Sequence, residues 1–242
     1  MEKAMEHSIR TRRRLIAVLP ATAAALLAIG NATLPKHTFV FTGTTEHALG
    51  ALAATGAAPG RVRLAGLVLI VGYTCLAAAF CALASLVTRR GGSAATAGAV
   101  FGVVGSAGAV MVTCWIALSV YAANAADIAS EAKAGYLVSL VKTSGLGNAA
   151  GLPFLGGLFL GGVLMGFGLF RSGAVPRWLA VLFPITLIPA TLAAPQDVLG
   201  GLLALPLVAV MTRLSWELLR AANDVVPEAV DAPAIAAVTA SV

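Results

Sequence analysis

The chain has 242 residues, 59% of them hydrophobic and only 11% charged, and its mean hydropathy is +0.93. Soluble domains carry about 25% charged residues, so the composition argues against a water-soluble fold and leaves one helical membrane domain for nearly the whole length. The formal charge of +6 sits in clusters at alternate ends of apolar blocks, which marks topology and argues against a nucleic-acid partner.

In chain order, residues 1–14 read as a basic cytoplasmic tail carrying Lys3, Arg10, Arg12, Arg13 and Arg14. Six apolar blocks follow, at about 15–30, 64–87, 94–121, 151–170, 178–191 and 198–219. An Ala/Val/Pro-rich tail with Asp224, Glu228 and Asp231 closes the chain over 221–242 and is expected to be disordered. A helix needs about 20 apolar residues to cross a hydrocarbon core of roughly 30 Å, and only helices or closed barrels satisfy their backbone groups there. Most of the blocks are long enough. The fifth is short and reads as a span from its flanks and neighbours. The expected fold is all-α: a six-helix integral membrane bundle over 15–220, with two short helices in long outer loops. The first block also fits a cleavable signal peptide, a reading that would leave five spans and weaken the charge pattern.

Eleven basic residues fall on one side of this arrangement and five (Lys36, Arg61, Arg63, Lys133 and Lys142) on the other. The positive-inside rule then places both termini in the cytoplasm of a multi-pass cell-membrane protein. Cys75, Cys81 and Cys114 lie inside apolar blocks, which suits small hydrophobes better than a disulfide framework. Three cysteines without nearby histidines give no metal spacing. No cofactor is expected.

Two outer connections, 31–63 and 122–150, are about 30 residues long, and long ordered connections on a small scaffold often carry function. Thr44 or Thr45 can cap a short helix through Ala53, stopped by Ala58-Pro59-Gly60. Asn124-x-x-Asp127 resembles a capping arrangement that opens a helix through about Lys142. Its stripe Ile128, Ala132, Tyr136 and Leu140 suits the membrane surface or the mouth of the bundle. Gly98-x-x-x-Gly102, Gly157-x-x-x-Gly161 and Gly162-x-x-x-Gly166 favour close helix packing, with a glycine-lined substrate path as the alternative. Pro184, Pro189 and Pro206 each free a carbonyl about one turn earlier, giving either a static kink or a polar cavity.

The acidic residues outside the tails are Glu46, Asp127, Glu131, Asp197 and Glu217. The first four fall on the outer side, and Asp127 and Glu131 are expected on one helix face at i, i+4. Neighbouring carboxylates in a poorly solvated site resist double ionisation, so one is held protonated and can act as an acid. Glu46, Asp127, Glu131 and Asp197 are therefore the candidate catalytic acids, with Trp115, Tyr121, Arg61 and Arg63 as candidate substrate-binding residues. The plainer reading makes Asp127 and Asp197 helix caps and Glu131 a solvated charge. It pairs Arg61 and Arg63 with these acids at the surface. Glu217 reads as an interfacial salt-bridge group of Arg213 or Arg220, and Trp178 and Trp216 as belt anchors. A Walker loop, a dinucleotide fingerprint, His-Glu-x-x-His, Gly-x-Ser-x-Gly and paired Asp-rich diphosphate motifs are all missing. The spans hold almost no charge at their centres, so a ligand held among them is expected to be lipophilic.

Arg171-Ser172-Gly173 at the end of a glycine-rich span, followed by Pro176-Arg177-Trp178-Leu179 opening the next, is similar to a hairpin in a multi-pass membrane family common in actinobacteria, the domain of unknown function 4386. That resemblance implies a fold and no activity. A fold-level resemblance, resting on size, span count and outer carboxylates, is to small integral membrane terpene cyclases. Those use carboxylic acids at the pocket mouth to protonate an epoxide or alkene, and no motif is carried over residue by residue. The leading expectation is a pocket for a lipophilic, isoprenoid-like molecule, in its sharper form a proton-initiated cyclase or isomerase. The competing expectations are a non-enzymatic subunit or homo-oligomer associating through the glycine-rich spans, and a small exporter of lipophilic compounds.

Overall fold

A computed structural model describes residues 2–35, 44–87, 90–143, 145–192 and 198–224. These residues form eight helices: α1 Glu2–Thr33, α2 Thr45–Ala57, α3 Pro59–Ser85, α4 Gly92–Ala125, α5 Ser130–Thr143, α6 Gly145–Ser172, α7 Arg177–Leu192 and α8 Val198–Asp224. No strand occurs among them. Five stretches are long and apolar enough to cross a membrane: Thr11–Thr33, α3, α4, Ala149–Ser172 and Val198–Asn223. Helix α7 is apolar but shorter, at 16 residues, or about 24 Å of rise.

The first helix begins well before the apolar block, because Glu, Lys, Met and Arg are strong helix formers and no breaker precedes Pro20. The expected tail over 2–14 is thus a continuation of α1. At the other end, α8 runs on to Asp224, and the remainder of the expected acidic tail lies outside the described residues. Helix α2 starts where its chemistry predicts. Thr44 is the N-cap and its hydroxyl accepts from the His47 backbone N–H, while Pro59 sits in the first turn of the next helix, where its missing N–H costs nothing.

Helices α1, α3, α4, α6, α7 and α8 form a closed ring. Each packs on the next in that order, and α8 returns to α1. Neighbours run antiparallel, since chain direction reverses at every contact. Gly30 of α1 meets Leu69 of α3 while Gly72 meets Leu26 and Leu27; Gly201 of α8 meets Ala32 of α1 while Ser215 meets Ala21. The start of α1 and the end of α8 therefore share one end of the bundle. Aromatic pairs fill the centre: Phe80 of α3 meets Phe183 of α7 edge-on at 5.8 Å, and Tyr73 of α3 meets Phe154 of α6 at 6.0 Å. Such T-shaped pairs add about 0.5–1.5 kcal/mol beyond their burial.

The tightest seam joins α4 to α6. A Cβ on Gly98 would lie 2.5 Å from Met165 N, on Gly105 2.4 Å from Leu158 N, on Gly108 2.6 Å from Phe154 N, and on Gly161 2.5 Å from Gly102 N. Backbone touches backbone along the whole contact, so these glycines serve close packing and do not line a path. The second glycine pair of α6 faces α7. Gly166 receives Ala180 O, the carbonyl that Pro184 leaves without its helical donor, and a Cβ there would lie 2.8 Å from that oxygen. Beside Pro20, the Ala21 N–H donates to Ser215 Oγ on α8 at 3.0 Å. The turns at Pro20 and Pro184 are thus held against neighbouring helices of the ring.

Candidate functional site

At the end of the bundle away from the start of α1 and the end of α8, α2 and α5 pack on each other and both rest on α4. The join from α4 is held by side chains that bond backbone carbonyls, at the end of α4 and within α2. Lys133 Nζ donates to Asn124 O at 3.4 Å, and Asn124 Nδ2 donates to Leu52 O of α2 at 3.4 Å. Arg61 Nε donates to Thr33 O at 2.7 Å, closing the last turn of α1, and Asn31 Nδ2 reaches Ala190 O of α7 at 3.4 Å. The polar side chains here fasten helix ends.

Between these fastenings lies a cleft lined by Leu34, Thr55, Val62, Gly66, Thr113, Ile116, Ala117, Val120 and Tyr121. Its volume of about 20 Å³ has room for roughly one water. Gly66 sets its open side, for a Cβ there would meet nothing within 4 Å. Along α4 the lining runs from Tyr121 to Thr113, about 12 Å at 1.5 Å per residue. Thr55 is only 2% exposed, and its hydroxyl has no hydrogen-bond partner. A buried hydroxyl left unpaired costs about 1–3 kcal/mol; Ser106 on α4, which does not line the cleft, is likewise buried and without a partner among the described residues. Thr113, by contrast, donates to Ala109 O at 2.8 Å within its own helix.

Tyr121 joins cleft and surface. Its hydroxyl donates to Pro59 O at 2.9 Å, and the Arg63 guanidinium lies over its ring, 5.0 Å from the centroid. Of the other residues expected to bind substrate, Trp115 is half-buried against the core and does not line the cleft, and Arg61 is exposed and tied to Thr33.

The candidate acids do not form a cluster among the described residues. Glu46 is exposed in the first turn of α2. Asp127 and Glu131 are exposed too, but Asp127 precedes the start of α5 at Ser130, so the two do not share a helix face as expected. The helix opens later because α4 persists through Ala125, and Asn124 spends its side chain on Leu52 rather than on a cap. Of the two placements expected for the stripe, its exposure leaves the surface and not the bundle interior. Ala134 and Leu137 are buried, while Ile128 and Tyr136 are 52% and 51% exposed. Asp197 lies outside the described residues. Among the described residues, no carboxylate pairs with Arg61 or Arg63, and no three His, Cys, Asp or Glu gather to hold a metal. Glu217 does find Arg213, with Oε1 2.8 Å from Nη2 at i, i+4.

Sequence reasoning missed Thr55, Val62, Gly66 and Thr113. Thr55 is an isolated threonine on an alanine-rich helix, and Gly66 belongs to no small-residue repeat. The weak available signal was that Gly66 breaks an aliphatic face of α3 without a helix partner to explain it.

An all-helical, multi-pass membrane protein is the class that these helices and their lining define. The chain belongs to the family described as Domain of unknown function (DUF4386), which it matches over residues 15–221. No curated protein and no solved structure matches it.

Proposed function

We propose that this protein spans the cell membrane six times and holds a lipophilic small molecule in the cleft between α3 and α4. Helix α7 is the sixth span: it closes the ring between α6 and α8 and turns an outward face with Trp178 and Ile185. Both termini lie in the cytoplasm, on the argument of eleven basic residues against five. Helices α2 and α5 then cover the outer end. The observation that carries the function is the apolar lining around an unpartnered Thr55 hydroxyl, open at Gly66. The enclosed part of the cleft has room for about one water, so an isoprenoid or another narrow chain would lie along its open Gly66 side and present only a hydrogen-bond acceptor inward.

Binding is favoured over cyclisation. A proton-initiated cyclase needs a carboxyl within reach of the bound chain, whereas among the described residues Glu46, Asp127 and Glu131 are exposed and no carboxyl lines the cleft. Transport by moving proline hinges is disfavoured by the packing of Ala180 O against Gly166. Association through Gly98, Gly102, Gly157 or Gly161 is disfavoured because these positions are already filled inside the ring, Gly98, Gly157 and Gly161 by the α4–α6 seam and Gly102 by the Phe80 ring.

The test is mass spectrometry of lipophilic molecules copurifying with wild type and with Gly66→Leu, which fills the open side without touching the ring. A non-phospholipid lipophile carried by the wild type and lost from the variant supports the reading. Retention in a folded Gly66→Leu protein removes it.

A further inference from the structure

The end of the ring that holds the start of α1 carries its charge unevenly. The chain has no Asp or Glu from 47 to 126, or again from 132 to 196. Helices α3, α4, α6 and α7 are therefore without an acid along their whole lengths. Among the described residues, the acids of this end are Glu2, Glu6, Glu217 and Asp224, all on α1 and α8. Those two helices lie across the ring from α4 and α6, and Glu217 is taken by Arg213.

Three exposed arginines stand on the acid-free side: Arg90 just before α4, Arg171 in the last turn of α6 and Arg177 at the start of α7. Packing brings their segments together. Gly91 has φ +86°, and a Cβ on it would lie 2.6 Å from Gly168 O, so the chain enters α4 directly against α6. Arg171 follows Gly168 by less than one turn. Arg177 returns across the hairpin and lays its guanidinium over the ring of Phe170, the neighbour of Arg171, 5.6 Å from the centroid. Stacking fixes the guanidinium plane and leaves its N–H edge for an anion. None of the three makes an ion pair among the described residues. Their mutual repulsion is relieved by an anion placed between them.

The neighbouring surface says which anion. Phe167 and Phe170 on α6, and Trp178, Val181 and Ile185 on α7, are all exposed. They lead away from the arginines along the apolar lengths of both helices, a lipid-facing wall with an aromatic edge. An acidic protein approaching from water would use the arginines and leave this wall bare. A phospholipid uses both, with phosphate at the arginines and acyl chains on the wall. A zwitterionic headgroup brings a further cation to a site that already has three, whereas a headgroup of net negative charge does not.

We infer that the corner formed by α4, α6 and α7 binds an anionic phospholipid, its phosphate held among Arg90, Arg171 and Arg177 and its chains laid on the outward faces of α6 and α7. This site is separate from the cleft at the other end of the bundle, and it holds whichever side of the membrane the arginines occupy.

The experiment uses the full-length protein in nanodiscs of phosphatidylcholine, doped in separate samples with the same trace of photoactivatable phosphatidylglycerol or photoactivatable phosphatidylcholine. Adducts on residues 167–185 are counted after photolysis. Phosphatidylglycerol should label this corner several times more heavily than phosphatidylcholine. Arg171→Gln and Arg177→Gln should each cut that label about fivefold, the worth of one arginine near a charged lipid surface. Arg12→Gln with Arg13→Gln, which removes two exposed charges from α1 across the ring, should leave it unchanged. Equal labelling by the two lipids in the wild type overturns the assignment and needs no variant to fold. So does a loss of the same size in the α1 variant, since the attraction would then be that of diffuse surface charge. Clearance of the label by excess soluble glycerol phosphate would assign the corner to free phosphate compounds and overturn the lipid reading.

Discussion

Gly156 and Gly157 are adjacent on α6, yet one faces away from the bundle and the other faces α4. A Cβ on Gly157 would stand 2.6 Å from both Gly105 N and Gly105 Cα, and 2.8 Å from Phe101 O; on Gly156 it would meet nothing within 4 Å. Ordinary contact begins near 3.4 Å, so Gly157→Ala must push α4 and α6 apart by close to an ångström at their tightest point. The obstacles are backbone atoms, which cannot rotate away. Overpacking of this kind costs about 1–3 kcal/mol. Both substitutions gain helix propensity, up to about 1 kcal/mol in a helix interior. Gly157→Ala should therefore lose roughly 1–2 kcal/mol, and Gly156→Ala should be neutral or stabilised by as much as about 1 kcal/mol. Reversible unfolding by SDS titration in mixed micelles, followed by circular dichroism, reads both. Loss of stability of the same size in the two variants, or in neither, would refute the seam as the reason for these glycines.

Ser215→Ala removes the acceptor of the Ala21 N–H beside Pro20; the same titration should show a loss of about 1 kcal/mol, larger than for Ser139→Ala on exposed α5. The combined variant Glu46→Gln, Asp127→Asn, Glu131→Gln should unfold within about 0.5 kcal/mol of wild type, as surface changes do, and should still copurify the lipophile; its loss would return the acids to the site. In a background lacking Cys75, Cys81 and Cys114, an impermeant maleimide applied to intact cells should label Ile128→Cys and spare Ala174→Cys. Labelling of both, or of Ala174→Cys alone, would contradict the assigned sides.

Much of the ring was legible because its causes are local. Apolar block length set the long helices, Thr44 and Pro59 set the ends of α2 and the start of α3, and Gly-x-x-x-Gly spacing announced the α4–α6 contact. Periodicity does not say which face of a short helix is covered when both faces hold apolar residues, and this is why the two placements of the Ile128–Tyr136 stripe stay open until Ala134 and Leu137 are seen to take the buried face. The candidate site was less legible for a related reason. Charged residues draw the eye as chemistry, but Arg61 and Lys133 serve as fastenings for carbonyls at helix ends. The cleft instead depends on what is missing, a side chain at Gly66 and a partner for Thr55. Neither absence can be seen before α2, α3 and α4 are brought together.

The central claim is that the cleft between α3 and α4 is where a lipophile sits, and site mapping tests it most directly. A diazirine-bearing alkyl probe would be photolysed with the protein in nanodiscs and the labelled peptides sequenced. Adducts concentrated on residues 62–66 and 113–121, displaced by excess unlabelled ligand, are the predicted result. Labelling spread evenly over the outward faces of α4, α6 and α8, with no displaceable fraction at Gly66 or Ala117, would contradict it.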